Sequence, residues 1–599
     1  MVVRTKEGFH VGHRPLGRSR TIGTAVAALT TAALVATPGT SSAQFARSVP
    51  GSLKPLSSLQ PELGAASRIP ERGGTLQILM APGQPGSLDP AESYSQASEN
   101  LSPLIISALT AYVPGSNPPK VVGDLATNAG TPSDGARVWT FHLKPGVEYS
   151  NGKVITSYDV KYGIERSFAS SLAGGPPYLM MWLQGATKYK GPYVDKKGLS
   201  SIETPNASTI VFKLNQPVGD FYYLTTYPEF SGVPPTADTG ANYQYHMLTS
   251  GPYEIKTYVP NHSLVLVRDP HWKTSTDPYM KAYPNVINFQ EGLSPEVIDQ
   301  RIIADNGTDQ NAVPLDQPVQ ASDLSQVLSN QSVRARTQIV ASGSGITYIG
   351  LDVKTKPFNK LLVRQAVEWA INKETAQTAL GGLYGAGPIA NEILGPGVPG
   401  YVAGNLYAGP TGDPARAKAL LARAGYPHGF TTTLGVMNVP EDVAAAETIK
   451  TSLALAGINV NISEYSAAVY FSGVIGIPKA EPPMALSLWG ADWNDASTIL
   501  PDLLDGSQLT ASGPNNDITN FNSPALDAQM RSAESVVSAR QAAPLWAKLD
   551  TELMQQAAIV PLIYSSKVVT VGSNVVGAQV DPAFGTPNPA VMAVVSRAR

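Results

Sequence analysis

Residues 150–153 read Ser-Asn-Gly-Lys and match the S-x-x-K motif of penicillin-recognising enzymes, whose serine attacks a carbonyl carbon. Residues 149–151, Tyr-Ser-Asn, resemble the second motif of those enzymes, and residues 273–275 loosely resemble the third. The first two matches share Ser150, and one serine cannot be both the nucleophile and the separate second-motif group. We therefore interpret this segment as a polar turn between a strand and a helix.

Other catalytic and metal-binding patterns are incomplete. Residues 395–400 fit G-x-G-x-x-G, but they contain two prolines and open no predicted helix, so we expect a loop rather than a dinucleotide site. Neither a Walker A sequence nor a G-x-S-x-G elbow occurs. The histidines lack the spacing of a metal site, and they are His10, His13, His142, His246, His262, His271 and His428. The sequence thus predicts no catalytic residues, no metal and no cofactor.

The chain contains no cysteine, and this absence excludes several classes of chemistry. Disulfides, thiolate metal sites and cysteine nucleophiles are ruled out, as is a lipid anchor attached through a cysteine thioether. The net charge is -3, and the basic residues are concentrated early, because the first 43 residues carry five basic side chains against one acidic side chain. The remainder is therefore acidic, which gives no electrostatic footprint for nucleic acid.

The amino terminus has the pattern of an export signal. A basic stretch ends at Arg20, an apolar run follows at residues 22–36, and Ser-Ser-Ala at residues 41–43 offers small residues for cleavage. The apolar run is short for a membrane span, so residues 1–43 predict a cleaved signal peptide, with a retained anchor as the alternative. Residues 44–72 are rich in Ser, Pro and Gly and predict a flexible linker.

Beyond this leader, the elements alternate in the way that α/β proteins require. Strands are expected at residues 75–79, 138–143 and 209–214, a helix at 157–168, and a hairpin at 253–267. A chain of 599 residues predicts at least two lobes.

Two helices are expected in the carboxy-terminal half. The first spans residues 414–424, with Asp413 as its cap and Gly425 at its end. The second runs from about residue 441 to 456, and a strand follows it at residues 458–462.

A series of short motifs, in a fixed order, resembles a known family. The motifs lie at residues 73–76, 87–90, 139–147, 150–153, 158–160, 250–253, 268–272, 356–359, 363–366, 417–426, 489–493, 521–524 and 559–562. Together they resemble the family-5 bacterial extracellular solute-binding proteins, whose best-known members bind oligopeptides and dipeptides. Two departures are visible: Asn151 replaces the usual Asp, and residues 484–488 lack the Arg that can help to hold a peptide carboxylate.

The resemblance implies an α/β, two-lobed periplasmic-binding-protein-like fold (type II, cluster C-like) with an extra domain on the N-terminal lobe. By this analogy lobe I comprises residues 73–110, 236–345 and 568–599. The extra domain comprises residues 111–235, and lobe II comprises residues 346–567.

The resemblance also implies a ligand site in the cleft between the lobes. Its expected residues are Tyr94, Tyr348, Trp489, Gly490, Ala491 and Asp492. In the family the carboxylate that corresponds to Asp492 anchors the α-ammonium group of the peptide. Trp489 would supply an apolar wall, and the backbone of Gly490 and Ala491 would pair with an extended peptide.

The resemblance implies an exported carrier rather than an enzyme, namely a monomeric substrate-binding protein that captures peptides and delivers them to ABC permease subunits. It would be located in the periplasm, or on the cell surface or outside the cell, and it would not be a lipoprotein, because the chain has no cysteine. Two alternatives stay open, namely a binder of another solute, such as a sugar, an opine or a nickel chelate, and a ligand-reporting partner of a sensor. A secreted hydrolase is disfavoured because it needs a nucleophile, a base or a metal, and the sequence offers no credible set of them.

Overall fold

The computed structural model describes residues 70–172, 174–407 and 409–595, so the predicted signal peptide and nearly all of the predicted linker lie outside the described residues. Within these ranges the strands are β1 (Thr75–Leu79), β2 (Thr110–Tyr112), β3 (Val121–Gly123), β4 (Thr131–Ser133), β5 (Val138–His142), β6 (Ile202–Asn206), β7 (Thr209–Lys213), β8 (Tyr253–Val259), β9 (Ser263–Arg268), β10 (Val286–Gln290), β11 (Ala312–Pro314), β12 (Thr337–Leu351), β13 (Phe430–Met437), β14 (Ile458–Tyr465), β15 (Met484–Gly490), β16 (Ile559–Thr570), β17 (Val575–Val576), β18 (Val580–Asp581), β19 (Thr586–Pro587) and β20 (Ala593–Val594).

The α-helices of the same ranges are mostly short. They are α1 (Gln96–Ile105), α2 (Ser157–Arg166), α3 (Tyr178–Trp182), α4 (Phe221–Leu224), α5 (Pro295–Ala304), α6 (Leu324–Ser329), α7 (Gln331–Arg334), α8 (Leu361–Ala370), α9 (Lys373–Ala379), α10 (Gly382–Gly385), α11 (Pro414–Arg423), α12 (Pro440–Leu455), α13 (Ala467–Gly473), α14 (Leu500–Leu504), α15 (Pro524–Glu534) and α16 (Ala539–Gln556). No helix in the described part of the chain has both the length and the apolar character that a membrane crossing requires.

Local sequence signals explain several of these elements. The Asp413 side chain accepts a hydrogen bond from the Arg416 N–H at 2.9 Å and caps α11, with Pro414 in the first turn. Gly425, at φ +89°, follows the end of this helix in the left-handed conformation that favours glycine. The predicted hairpin is confirmed as β8 and β9, which pair in antiparallel fashion. The expected helix before residue 457 and strand after it are confirmed as α12 and β14.

Residues 150–153 form the turn that the sequence predicts. The Gly152 N–H donates to the Tyr149 carbonyl at 2.8 Å, and the Tyr149 N–H donates to the Lys153 carbonyl at 2.9 Å. Helix α2 begins a few residues later, where the Thr156 hydroxyl caps the Asp159 N–H. Residues 395–400 lie outside the helices and strands, as expected of a loop.

Three larger sheets organise the molecule, and each has its own apolar core. The first has the strand order β11-β1-β10-β9-β8, with β1 parallel to both β10 and β11. The second has the order β14-β13-β15-β12-β16 and is covered by apolar clusters on both faces. The third is antiparallel, β4-β5-β7-β6, and packs around Trp139, Phe141, Phe212 and Phe221.

Two long strands, β12 and β16, run between the regions of the first and second sheets. Their register is continuous from Thr337 to Ser342, shifts between Ser342 and Ile346 and again between Thr347 and Tyr348, and then continues in the second sheet. Gly343 lies within the first shift, and a Cβ there would collide with the carbonyl oxygen of Pro396. The expected lobe boundaries at residues 345/346 and 567/568 fall inside these two strands. At both predicted boundaries the backbone is therefore part of a strand rather than a loop.

Candidate functional site

Strand β15 carries the expected site residues out of the core of the second sheet. Residues 484–487 are buried, and they pack beneath the helices of this sheet. Leu488 is 52% exposed, so the strand emerges from the core at this point. The chain then reaches Asp492 just beyond the end of the strand.

Three tyrosines from the amino-terminal half of the chain converge on Asp492. The hydroxyl of Tyr94, which precedes α1, donates to Asp492 Oδ2 at 2.9 Å. The hydroxyl of Tyr178, the first residue of α3, donates to the same oxygen. The Tyr227 hydroxyl donates to the backbone carbonyl of Asp492 at 3.0 Å. Asp492 is thus the point at which segments distant in sequence meet.

The environment of Asp492 disfavours an unpaired charge. Burial raises the pKa of the Asp492 carboxyl above its usual range, and the hydroxyls of Tyr178 and Tyr94 partly oppose this rise. Burial also raises the pKa of Glu99, on α1, with a further contribution from the negative charge of Asp492. Both hydroxyls bind Oδ2, so among the described residues Oδ1 receives no hydrogen bond. A cation placed at Oδ1 would compensate this local negative charge.

The other expected residues lie at different distances from this point. The Trp489 indole N–H donates to the Thr498 carbonyl at 2.7 Å, and its ring packs against the core of the second sheet. Tyr348 is 1% exposed in β12 and belongs to that core, so the structure does not bring its side chain to Asp492. The structure therefore brings together Tyr94 and Asp492, with residues 489–491 leading to them along the chain.

One edge of β15 is partly open. The Ala491 N–H donates to the Ser344 carbonyl at 2.9 Å, which uses the Ala491 N–H on the β12 side. Strand β13 pairs on the other side only with Met484 and Ala485. Backbone groups in an antiparallel ladder alternate in direction, so those of Leu488 and Gly490 point away from β12. An extended chain could pair with this open edge as an added strand.

Trp493, immediately after Asp492, fills the space between this segment and the third sheet. It is 2% exposed and belongs to the apolar core of that sheet, with its ring centroid 5.0 Å from that of Tyr178. Its indole N–H donates to Asp220 Oδ2 at 2.9 Å. A second contact joins the same regions, because the Gly219 N–H donates to the Glu534 carbonyl at 2.7 Å.

A cavity of about 130 Å³ lies beside these residues. Its lining includes the aromatic side chains of Tyr178, Trp182 and Trp493 and the carboxyl groups of Asp220 and Asp502. No group of three or more His, Cys, Asp or Glu residues in the described ranges is arranged to hold a metal ion. A cavity lined by both aromatic and acidic side chains is suited to binding a polar, partly cationic molecule.

Sequence reasoning missed four residues of this region. These are Tyr178, Asp220, Tyr227 and Trp493. The first three lie more than 260 positions from the residues they contact, so no local spacing relates them. The dense aromatic and apolar run at residues 178–182 was a usable signal, as was the position of Trp493 next to Asp492.

Known proteins resemble this chain along most of its length. The model of the bacterial extracellular solute-binding proteins, family 5 (middle region), matches residues 120–510. The periplasmic oligopeptide-binding protein OppA of Salmonella typhimurium is 24% identical over 466 residues, covering 72% of this chain and 76% of that protein. Heme-binding protein A of Haemophilus influenzae is 25% identical over 462 residues, covering 72% and 77%. These relatives are named for what they bind rather than for a reaction.

A solved structure resembles the chain even more completely. Clavulanic acid biosynthesis oligopeptide binding protein 2 is 31% identical and superposes with a TM-score of 0.84, covering 90% of this chain and 100% of that protein. The predicted fold class, two α/β lobes of the periplasmic-binding-protein type with an extra domain, is therefore confirmed.

Proposed function

Because this chain belongs to the bacterial extracellular solute-binding proteins of family 5, we propose that it is the substrate-binding protein of an ABC importer and that its substrates are peptides. It binds a peptide in the cleft between the lobes and delivers it to permease subunits in the membrane. The observation that supports the peptide assignment best is the position of Asp492, between segments that come from both halves of the chain.

The Asp492 carboxyl has the properties of an anchor for an α-ammonium group. Its Oδ2 is held by the hydroxyls of Tyr94 and Tyr178, which fix the orientation of the carboxylate, and Oδ1 faces no donor among the described residues. An ammonium group that enters a closed cleft loses its hydration and must be paired. A charge-assisted hydrogen bond to Oδ1 would provide that pairing.

The backbone near Asp492 is suited to the rest of an extended peptide. Leu488 and Gly490 present N–H and C=O groups at the open edge of β15. Main-chain hydrogen bonds at such an edge give affinity that does not depend on the side chains of the ligand. Of the two backbone positions that the sequence suggested, Gly490 offers the free edge, since the Ala491 N–H is paired with Ser344.

The named ligands of the relatives differ in the chemistry that Asp492 would recognise. Oligopeptides carry a free α-ammonium group, whereas heme carries no cation of this kind, and its iron usually takes a side-chain ligand such as His. The carboxyl at the centre of the site therefore favours a peptide over heme.

We place the hinge of lobe closure at β12 and β16. Both strands cross between the first and second sheets, and the register shift at Ser342 and Ile346 interrupts their ladder at the crossing. A few residues that absorb a change in backbone angles are sufficient for hinge closure. The division into lobe I, the extra domain and lobe II stays our proposal, with the boundaries given above.

Export is part of the proposal. The basic and apolar leader would direct the chain out of the cytoplasm, and the absence of cysteine leaves no residue for a thioether-linked lipid. The mature protein would act as a monomer in the periplasm or outside the cell.

Calorimetry with defined peptides tests the function. The mature protein is titrated with trialanine and with N-acetyl-trialanine at pH 7. We expect one trialanine per chain and an affinity for the acetylated peptide at least tenfold lower, since acetylation removes the ammonium charge. Equal affinities for the two peptides, or no binding of any free tripeptide to pentapeptide, would contradict the proposal.

A further inference from the structure

The cavity beside Asp492 is lined by more acidic than basic side chains. It is lined by four carboxyl side chains and by one basic side chain, that of Arg531. The carboxyl groups belong to Asp220, Asp502, Asp505 and Glu534. Arg531 is 48% exposed, and its Nη1 is 3.9 Å from Asp505 Oδ2, so it compensates at most one of the four from the edge of the cavity.

Two of these carboxyl groups have local partners. Asp220 Oδ2 accepts hydrogen bonds from the Trp493 indole and from the Ser497 hydroxyl, and Asp505 Oδ1 accepts from the Ser507 N–H at 2.9 Å. Hydrogen bonds from within the protein thus partly compensate the burial of both carboxyl groups.

Asp502 differs, because one of its carboxyl oxygens has no such partner among the described residues. Its Oδ2 is fully buried and has no hydrogen-bond partner among the described residues, and the residue is part of the lining of the cavity. Native proteins rarely leave a buried carboxylate oxygen unpaired, because its desolvation is not compensated. An unpaired oxygen of this kind beside a cavity indicates a group that arrives from outside.

The electrostatic surroundings agree with this interpretation. Burial, together with the negative charge of Asp492, raises the pKa of Asp502 to about 8. Burial and the neighbouring charges of Asp220, Asp505 and Asp502 raise the pKa of Glu534 well above its usual range. A bound cation would relieve this mutual repulsion.

The walls of the cavity suggest the form of that cation. Tyr178, Trp182 and Trp493 line the cavity, and Trp182 is partly exposed, so that a methylene stem can pack against its ring and a guanidinium or ammonium group can make a cation–π contact. The volume of about 130 Å³ is well above the roughly 10–15 Å³ that a single water needs. An organic cation with an apolar stem fits both features.

We infer that this cavity is a subsite for a cationic side chain, lysine or arginine, near the amino terminus of the bound peptide. The inference rests on the proposed function, because Asp492 fixes the α-ammonium group next to the cavity. Tyr178 belongs to both places, since its hydroxyl binds Asp492 and its ring lines the cavity. The protein then selects peptides by charge at a side chain, in addition to holding their backbone.

A pair of peptides of equal shape tests this selection. The mature protein is titrated with Arg-Ala-Ala and with citrulline-Ala-Ala, which replaces the guanidinium group by a neutral urea. We expect the arginine peptide to bind at least tenfold more tightly. In the double variant Asp502→Asn, Glu534→Gln this ratio should fall to about one, with less than a threefold change for the citrulline peptide. Glu447→Gln, which removes an exposed carboxylate paired with Lys450, should keep the ratio of the parent.

The outcomes separate this inference from the proposed function. Equal binding of both peptides to the parent overturns the subsite and leaves peptide binding in place, whereas no binding of either peptide overturns both. A tenfold ratio that survives in the double variant overturns the assignment to Asp502 and Glu534. If the double variant does not fold, the parent still decides. The arginine peptide must release more protons on binding at pH 7 than the citrulline peptide does, as measured by calorimetry in two buffers, and equal release overturns the subsite.

Discussion

Replacement of Asp492 by Asn removes one negative charge and almost nothing else. The Asn carbonyl oxygen can still accept hydrogen bonds from Tyr94 and Tyr178, so the contacts between the two halves of the chain are retained. The amide nitrogen of Asn, however, is a donor and would face the ammonium group of the peptide. That group would be buried without a counter-charge.

The expected loss of affinity follows from this geometry. Removing one partner of a buried, hydrogen-bonded charge pair costs about 2–5 kcal/mol. At 1.4 kcal/mol for each factor of ten, trialanine affinity should fall by about 30-fold to several thousandfold. N-acetyl-trialanine has no ammonium charge, so its affinity should be the same for the parent and for Asp492→Asn. The difference between the two peptides thus isolates the interaction of the carboxylate with the ammonium group.

Calorimetry at pH 7 measures all four affinities. Thermal unfolding of Asp492→Asn provides the folding control. Glu447→Gln provides a matched loss of a distant carboxylate, which among the described residues is paired with Lys450 on the surface of α12. A variant that is folded and binds trialanine as tightly as the parent would refute the anchor role of Asp492.

Three further predictions concern processing, motion and pH. Intact-mass analysis of the exported protein should show cleavage after Ala43, and a full-length chain in the membrane fraction would argue against it. Solution scattering should give a smaller radius of gyration at saturating peptide, because the lobes close about β12 and β16, and an unchanged radius with two verified ligands would count against closure. Burial raises the pKa values of Asp502, Glu481 and Asp550 to about 8 in the folded, ligand-free protein. Below the unfolded pKa values, about 4, the stability that these groups contribute is fully present. It is lost as the pH rises toward 8, because the folded protein then holds more protons than the unfolded chain does. The Tm should therefore fall between pH 6 and pH 8.5, and a flat or rising Tm would show that these raised pKa values are wrong.

Elements with strong local signals were predictable from the sequence. Helix α11 begins at the expected Asp413 cap, and the hairpin of β8 and β9 lies at the expected alternation of residues. These features depend on capping and periodicity within about ten residues, and such signals are readable without tertiary contacts. The two-lobed fold came instead from the ordered motifs of a family, since no local pattern specifies how sheets are assembled.

The site was predictable only in part, for a physical reason. Asp492 and Tyr94 were both expected, and their side chains are in contact at 2.9 Å. Tyr178 and Trp493 were not expected, because their roles exist only once the third sheet meets the end of β15. Side chains alternate between the two faces of β12, and the side chain of Tyr348 lies on a face that packs in the core. Residue type alone does not distinguish a core-facing position in a strand from a ligand-facing one.

We propose above all that this protein binds peptides through a free amino terminus in the interlobe cleft. Native mass spectrometry tests it most directly, with the mature protein incubated in an equimolar mixture of tripeptides to pentapeptides and their N-acetylated forms. We predict a mass increase of one free peptide per chain, with no acetylated peptide retained. Free and acetylated peptides retained equally, or no peptide retained at all, would contradict the claim.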